Sequence, residues 1–117
     1  MAKTVSDAIT EARVLLHDTD PQLFRYSTPE LLSYLNNALL ETRRLRPDLF
    51  RAYIGQPVPS YADGDDLSVA FPIDEMFFPQ VVFYITGSAE LRDDEFTVDA
   101  RAATLLNQFA AKMLTVA

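Results

Sequence analysis

Residues 26–48, YSTPELLSYLNNALLETRRLRPD, spell out one whole helix with its start, its apolar face and its stop. Ser27 and Glu30 fit the Ser-x-x-Glu capping box, in which each side chain satisfies a backbone N–H that the first turn leaves unpaired. Pro29 agrees with that start, because its fixed φ and missing N–H cost little in a first turn. Leu32, Leu35, Leu39 and Thr42 recur at three- and four-residue spacing, with Leu31, Ala38 and Leu45 beside them. That period predicts a helix over about 28–46 with one buried face. Arg43, Arg44 and Arg46 crowd the last turn, where positive charge complements the helix dipole, and Pro47 forbids continuation.

Outward from this segment the chain divides readily. Towards the amino terminus, Val5, Ile9, Ala12 and Leu16 share one face, widened by Ala8 and Leu15, and predict a helix over about 5–17. Thr4 or Ser6 suits its N-cap, and Asp7 puts negative charge in its first turn. Asp18 to Phe24, interrupted by Pro21, reads as a loop. Tyr26 stands where a residue folds back onto Leu31 as a hydrophobic staple.

Beyond Pro47 the signal changes. Pro57 and Pro59 exclude helix, whereas Phe50, Tyr53, Ile54, Val58 and Tyr61 favour extended chain. Asp63-Gly64 is a hairpin-turn dipeptide, and Leu67, Val69 and Phe71 alternate after it. Residues 49–72 are therefore expected to form a small β-hairpin or an irregular β element. Such a pair is marginal alone and needs the helices, or another subunit's strand, to support it.

Val81 to Ile85 is ambiguous by periodicity, but Pro79 at a first helical position and the run onward to Leu91 predict a helix over about 79–92. It is apolar around much of its circumference, so it needs burial on more than one side, which a neighbouring copy would supply. Asp93 to Glu95 break the chain. A last helix over about 98–114 follows, capped by Thr97, with Val98, Ala102, Leu105, Phe109 and Met113 as its apolar stripe. The expected fold class is thus mainly α, a single four-helix domain over residues 1–117 with the β element between its second and third helices.

The composition narrows the function classes. A chain of 117 residues with 49% hydrophobic content supports one core and excludes a disordered chain. Its longest apolar run is far shorter than a membrane span, and its amino terminus lacks a signal-peptide pattern. Absence of cysteine removes disulfide and thiolate chemistry. Ten basic residues stand against seventeen acidic ones, for a net charge of −7, so gripping DNA by neutralising phosphates is disfavoured.

No catalytic, cofactor-binding or metal-binding set emerges. His17 is the only histidine and sits where a donor suits the carbonyls at the end of the first helix. Asp63, Asp65 and Asp66 around Gly64 suggest calcium, but the EF-hand needs an oxygen ligand at its fifth place and glutamate at its twelfth. Counted from Asp63 those places hold Leu67 and Asp74, so a solvated turn is the better reading. Three ungrouped glycines leave no phosphate-cradling loop. The expectation is a protein that is not an enzyme and takes no cofactor.

The order of the motifs resembles that of the small head-to-tail adaptor (connector) proteins of tailed bacteriophages. Leu15, Leu16, Asp18 and Thr19 match an "LL-x-Asp-Thr" turn. Ser27, Glu30 to Leu32, Leu35 and Asn36 match the opening "Ser-x-x-Glu-Leu-Leu-x-x-Leu-Asn", and Arg46 to Asp48 the closing "Arg-Pro-Asp". Pro72 to Glu75, an apolar helix, an acidic break and an alanine-rich last helix extend the likeness over most of the chain. One departure is a compressed segment, Leu49 to Phe71, where such proteins often carry a longer β-containing insertion. The resemblance implies a structural virion protein of the neck, assembled in the host cytoplasm. Copies would form a ring, commonly twelve-fold, beneath the portal protein, with a tail or nozzle protein docking below. DNA would pass through the lumen without specific binding, and no membrane would be involved.

Candidate interface residues come from three places. Arg43, Arg44 and Arg46 could meet an anion or an acidic partner, with Arg43 and Arg46 expected on one helix face. Phe77 and Phe78 belong to an aromatic group, with Phe83 and Tyr84, that exceeds what a small core readily covers. Leu114, Val116 and Ala117 extend the last helix's apolar character to the end, either as core or as a plug for the portal. The alternative function is a small regulatory or antitoxin-like helical protein that dimerises and binds DNA or protein.

Overall fold

The computed structural model describes residues 3–20, 22–92 and 99–115. Four α-helices account for most of them: α1 (Val5–Leu15), α2 (Thr28–Leu45), α3 (Phe78–Arg92) and α4 (Asp99–Thr115). Two 3₁₀ segments, Pro47–Tyr53 and Glu75–Phe77, join α2 to α3. The fold is mainly helical, as the sequence predicts. The expected cap at Thr97 and the stripe residue Val98 lie outside the described residues.

Helix starts obey their caps. Thr4 Oγ1 accepts from Asp7 N at 3.1 Å while Asp7 Oδ2 accepts from Thr4 N at 2.9 Å, a complete capping box that decides between Thr4 and Ser6. Ser27 Oγ accepts from Glu30 N at 3.2 Å, and the Glu30 carboxylate accepts from the Tyr34 hydroxyl one turn on. Tyr26 and Leu31 are both buried in the core, as a staple requires.

The end of α1 is sharper than the sequence suggests. Asp18 N donates to Arg13 O at 2.9 Å and His17 N to Val14 O at 3.1 Å, the paired bonds of a Schellman motif. The motif needs a left-handed residue between them, and His17 supplies it at φ 54°. Histidine tolerates that region better than β-branched residues, yet glycine suits it best. His17→Gly should therefore raise the unfolding free energy by about 0.5–1 kcal/mol and His17→Val should lower it by about 1 kcal/mol. Urea midpoints for the two variants check the opposite signs.

No hairpin forms between residues 49 and 72; among the described residues there is no sheet, only one antiparallel bridge between Thr4 and Ala70. Two local causes account for the difference. Asp65 N donates to Ala62 O across a turn whose Gly64 lies at φ 94° while Asp63 stays at negative φ. A type I′ hairpin turn needs both central residues at positive φ, so the flanking chains are not aligned for pairing. The backbone of residues 67–71 instead bonds to the start of α1, with Val5 N to Val69 O at 3.1 Å, Ser6 N to Leu67 O at 2.8 Å and Phe71 N to Lys3 O at 2.9 Å. On the other arm, Asn36 holds Tyr61 with both amide atoms, its Nδ2 on Tyr61 O at 2.8 Å and its Oδ1 on Tyr61 N at 2.9 Å. Phe50 and Tyr53, expected as extended chain, lie in the first 3₁₀ segment, with Phe50 in the core.

The core gathers around α3, which packs against α1, α2 and α4 within one chain. Val81, Val82, Ile85 and Ala89 are all buried there. The all-round apolar character of this helix is thus satisfied by three neighbours, and the neighbouring copy expected from its sequence is not needed for its burial. Thr42 and Thr86 are buried without cost in unmet bonds, since each hydroxyl donates to the carbonyl four residues back, Ala38 O at 2.8 Å and Val82 O at 3.0 Å.

Arg101 fastens α4 to the rest. Its Nη1 lies 3.0 Å from Glu90 Oε1 on α3, and its Nη2 donates to Leu15 O, at the end of α1, at 2.8 Å. Arg101→Met leaves the nearly buried Glu90 carboxylate without this cation. A fully buried pair broken on one side costs about 3–5 kcal/mol; the arginine here is 40% exposed, so a loss of about 2 kcal/mol is expected. The double change Arg101→Met with Glu90→Leu should recover most of it in urea unfolding. A single variant as stable as the parent would show that the bridge carries no weight.

Candidate functional site

The three groups of candidate residues meet different fates, and their differences define one end of the domain. Arg46 is where α2 stops, with its backbone at φ −138°, ψ 72°. Arg43 and Arg46, expected on one helix face, differ in what they meet. Arg46 instead forks onto Asp48, Nε to Oδ1 at 3.0 Å and Nη2 to Oδ2 at 2.9 Å, and its Nη1 donates to Met113 O at 3.0 Å. Those hydrogen bonds hold the Asp48 carboxyl below the usual carboxylate range. The guanidinium also stands 5.5 Å from the ring centre of Phe77.

Arg46 is thus a joint. A cation placed on a carbonyl in the last turn of α4 satisfies an orphan acceptor and complements that helix's negative end. The Arg-Pro-Asp run that closes the α2 sequence is the same joint seen in one dimension. Pro47 starts the 3₁₀ segment, and Asp48 fixes the arginine that reaches α4.

Arg44 pairs with Glu41, Nη2 to Oε2 at 2.8 Å, with both side chains largely in water. Such a pair contributes little to stability. Arg43 is exposed and has no hydrogen-bond or ion-pair partner among the described residues. It borders a small groove of about 170 Å³ with Pro47, Phe50, Tyr53 and Ile54. Of the three arginines it alone is available to a partner.

Phe77 and Phe78 do not lie on the surface. Each is 3% exposed, and Phe78 meets Phe71 edge-on with ring centres 5.1 Å apart. The aromatic surplus read from the sequence is absorbed at home, because α3 sits at the centre of the helices and not at their edge. Tyr84, half-buried, likewise packs edge-on against Phe109 of α4 at 4.9 Å. Burial pushes its phenol up from the ordinary tyrosine value.

Leu114 is 62% exposed, directly after Met113, which is fully buried. The apolar stripe of α4 therefore ends at Met113, and Leu114 is not core. Val116 and Ala117 lie outside the described residues. Because Arg46 is bonded to Met113 O, Leu114 stands at the same end of the domain as Arg43. Ile54, 81% exposed, borders the Arg43 groove there. Ile54 is the residue that the sequence reading missed; a hydrophobic side chain between a 3₁₀ segment and Gly55-Gln56-Pro57 carried no periodic signal.

Among the described residues no three histidine, aspartate or glutamate side chains are grouped to hold a metal ion. Among them, too, no helix is long and apolar enough to cross a membrane. No protein-family model matches the chain, no curated protein matches it and no solved structure matches it.

Proposed function

We propose that the chain is a head-to-tail adaptor of the tailed-bacteriophage type, and that the end of the domain bearing Arg43, Ile54 and Leu114 is its docking surface. The observation that carries the reading is convergence. Residues singled out in two distant parts of the sequence are tied to one end by the Arg46–Met113 bond, and that end exposes Ile54 beside the free Arg43, and Leu114 next to Met113. Apolar anchors with an arginine are the usual furniture of protein interfaces. The mainly helical fold and the motif order described above agree with the family. In this reading the protein acts by surface complementarity and not by catalysis. Copies close into a ring through head-to-tail contacts on the portal, and the acidic surface lets DNA slide past without adhering.

Native mass spectrometry with and without a portal protein tests the proposal. The expected result is a monomer or weak oligomer alone and a ring on the portal, because many weak lateral contacts add on a shared platform. A stable dimer indifferent to portal, or salt-sensitive sub-micromolar binding to duplex DNA in a gel shift, would move the assignment to a dimeric regulator. Truncation after Met113 separates docking from folding. Leu114 is exposed and the Met113 carbonyl remains, so the melting temperature should hold while joining to portal particles is lost. Early melting would show that residues 114–117 belong to the fold.

A further inference from the structure

At the opposite end of α2, about 27 Å away by helix length, lies a second groove that the docking surface does not involve. It occupies about 410 Å³ where α1, the loop after it and the start of α2 meet. Arg13 forms its inner wall. The side chain is 8% exposed, and its bonds use three of the five guanidinium N–H groups. Nη1 donates to Asp18 Oδ2 at 3.0 Å and to Tyr26 O at 2.9 Å, and Nη2 donates to Thr28 Oγ1 at 3.2 Å. The Nε hydrogen and one Nη2 hydrogen have no acceptor among the described residues. Phe24 covers one face of the guanidinium, with its ring centre 3.6 Å from Cζ. Ile9 and Leu67 line it too, and Ser6, Thr10 and Thr19 add hydroxyls that make no hydrogen bonds among the described residues.

We propose that this groove binds a single carboxylate group, through the two free N–H groups of Arg13 and the hydroxyls of Thr10 and Thr19. Three physical points favour that ligand. The arginine is already held in place by Asp18, Tyr26 and Thr28, so little side-chain freedom is lost on binding. Its remaining donors suit planar oxygen acceptors, and hydrogen bonds to a charged acceptor are stronger than neutral ones. Asp18 already balances the charge of Arg13, so a doubly charged phosphate would enter with no second cation among the lining residues, whereas a monoanion is held chiefly by directed hydrogen bonds. The apolar face of Phe24 beside the donors also accommodates the stem of an acidic side chain. The shared chemistry is a carboxylate on a short apolar stem, whether a free small acid or a glutamate within a protein segment.

Titration of the intact protein with sodium acetate at constant ionic strength, followed by the Arg13 Nε–H resonance, tests the site. A saturable shift with acetate, absent with chloride and with neutral acetamide, is expected. Thr10→Val and Thr19→Val should each weaken acetate binding about tenfold, the equivalent of one charge-assisted hydrogen bond. Both residues are exposed and unbonded, so their melting temperatures should match the parent's and a loss of binding is not a loss of fold. A blocked peptide with one glutamate between apolar residues identifies the source. Binding about tenfold tighter than acetate assigns a protein segment, and equal binding assigns a free acid. An Arg13 signal that moves equally with chloride or acetamide, tighter binding of phosphate, or threonine variants that bind like the parent would overturn the proposal. The outcome is independent of portal binding, which involves the other end of α2.

Discussion

Asp18→Ala should lower the unfolding free energy by about 3–5 kcal/mol, the range for removing one partner of a buried ion pair. Asp18 and Arg13 have side chains 2% and 8% exposed, and the carboxylate does more than pair. Its Oδ1 accepts from Arg25 N at 2.8 Å, and its Oδ2 accepts from Tyr26 N at 3.2 Å as well as from Arg13. Alanine leaves a buried guanidinium and two backbone donors short of an acceptor at once. Burial already pulls the Arg13 pKa down, partly offset by the charge and hydrogen bond of Asp18, so the arginine has the most to lose. Against a total stability of about 5–15 kcal/mol for a domain, the variant approaches unfolding. Urea unfolding of the parent, Asp18→Ala, and Asp18→Leu with Arg13→Met distinguishes the terms. The double variant removes the stranded charge but not the stranded backbone donors, so it should recover only part of the loss. Full recovery would mean that the ion pair alone mattered; no loss in the single variant would show that the corner is not held this way.

That corner shows how far the sequence could be read. Helix existence was legible because Thr4, Ser27, Pro29 and Pro47 are local signals whose physics acts within a few residues. Residues 26–48 gave α2 almost to the residue for that reason. Asp18 stood in the motif that suggested the adaptor family, but its role was not legible. An aspartate that collects donors from residues 13, 25 and 26 is defined by how the loop folds back, which periodicity does not encode. The hairpin failed on the same ground. Asp63-Gly64 does make a turn, but the partners of residues 67–71 are residues 3–6, more than sixty positions away, and no local pattern announces them.

The candidate surface was legible in part. Charge at a helix end marks Arg43 and an apolar tail marks Leu114, and both are exposed. Counting aromatics against a small core points to Phe77 and Phe78 as interface residues, but the central position of α3 accompanies the burial of both. A helix with three neighbours covers far more apolar surface than one at the edge of a bundle. Sequence spacing groups Arg46 with its neighbours, but its side chain bonds to Asp48 and to Met113 O of α4, a partner that spacing does not encode.

The α3–α4 contact rests on Gly87, which the sequence reading did not mark. A Cβ at that position would lie 3.0 Å from Leu106 Cγ and 3.2 Å from Ala102 O, inside the 3.5–4.0 Å of ordinary carbon contact. The two obstacles differ in kind. Leu106 is a half-buried side chain and can yield by rotation, whereas the Ala102 carbonyl moves only with the backbone of α4. Gly87→Ala gains about 1 kcal/mol of helix propensity and spends a similar amount on displacing these atoms, so its stability should stay within about 1 kcal/mol of the parent. Gly87→Leu cannot be absorbed by a side-chain rotation. It should push α4 outward and cost about 3 kcal/mol, the upper end of the overpacking range. The displacement would also draw Phe109 from Tyr84 and Met113 O from Arg46, so the ring-current shifts of the aromatic pair and the docking end of the domain should change together. Urea unfolding and proton NMR of the two variants test this. A leucine variant as stable as the parent, with the Tyr84 and Phe109 resonances unmoved, would show that α4 does not lie this close to α3.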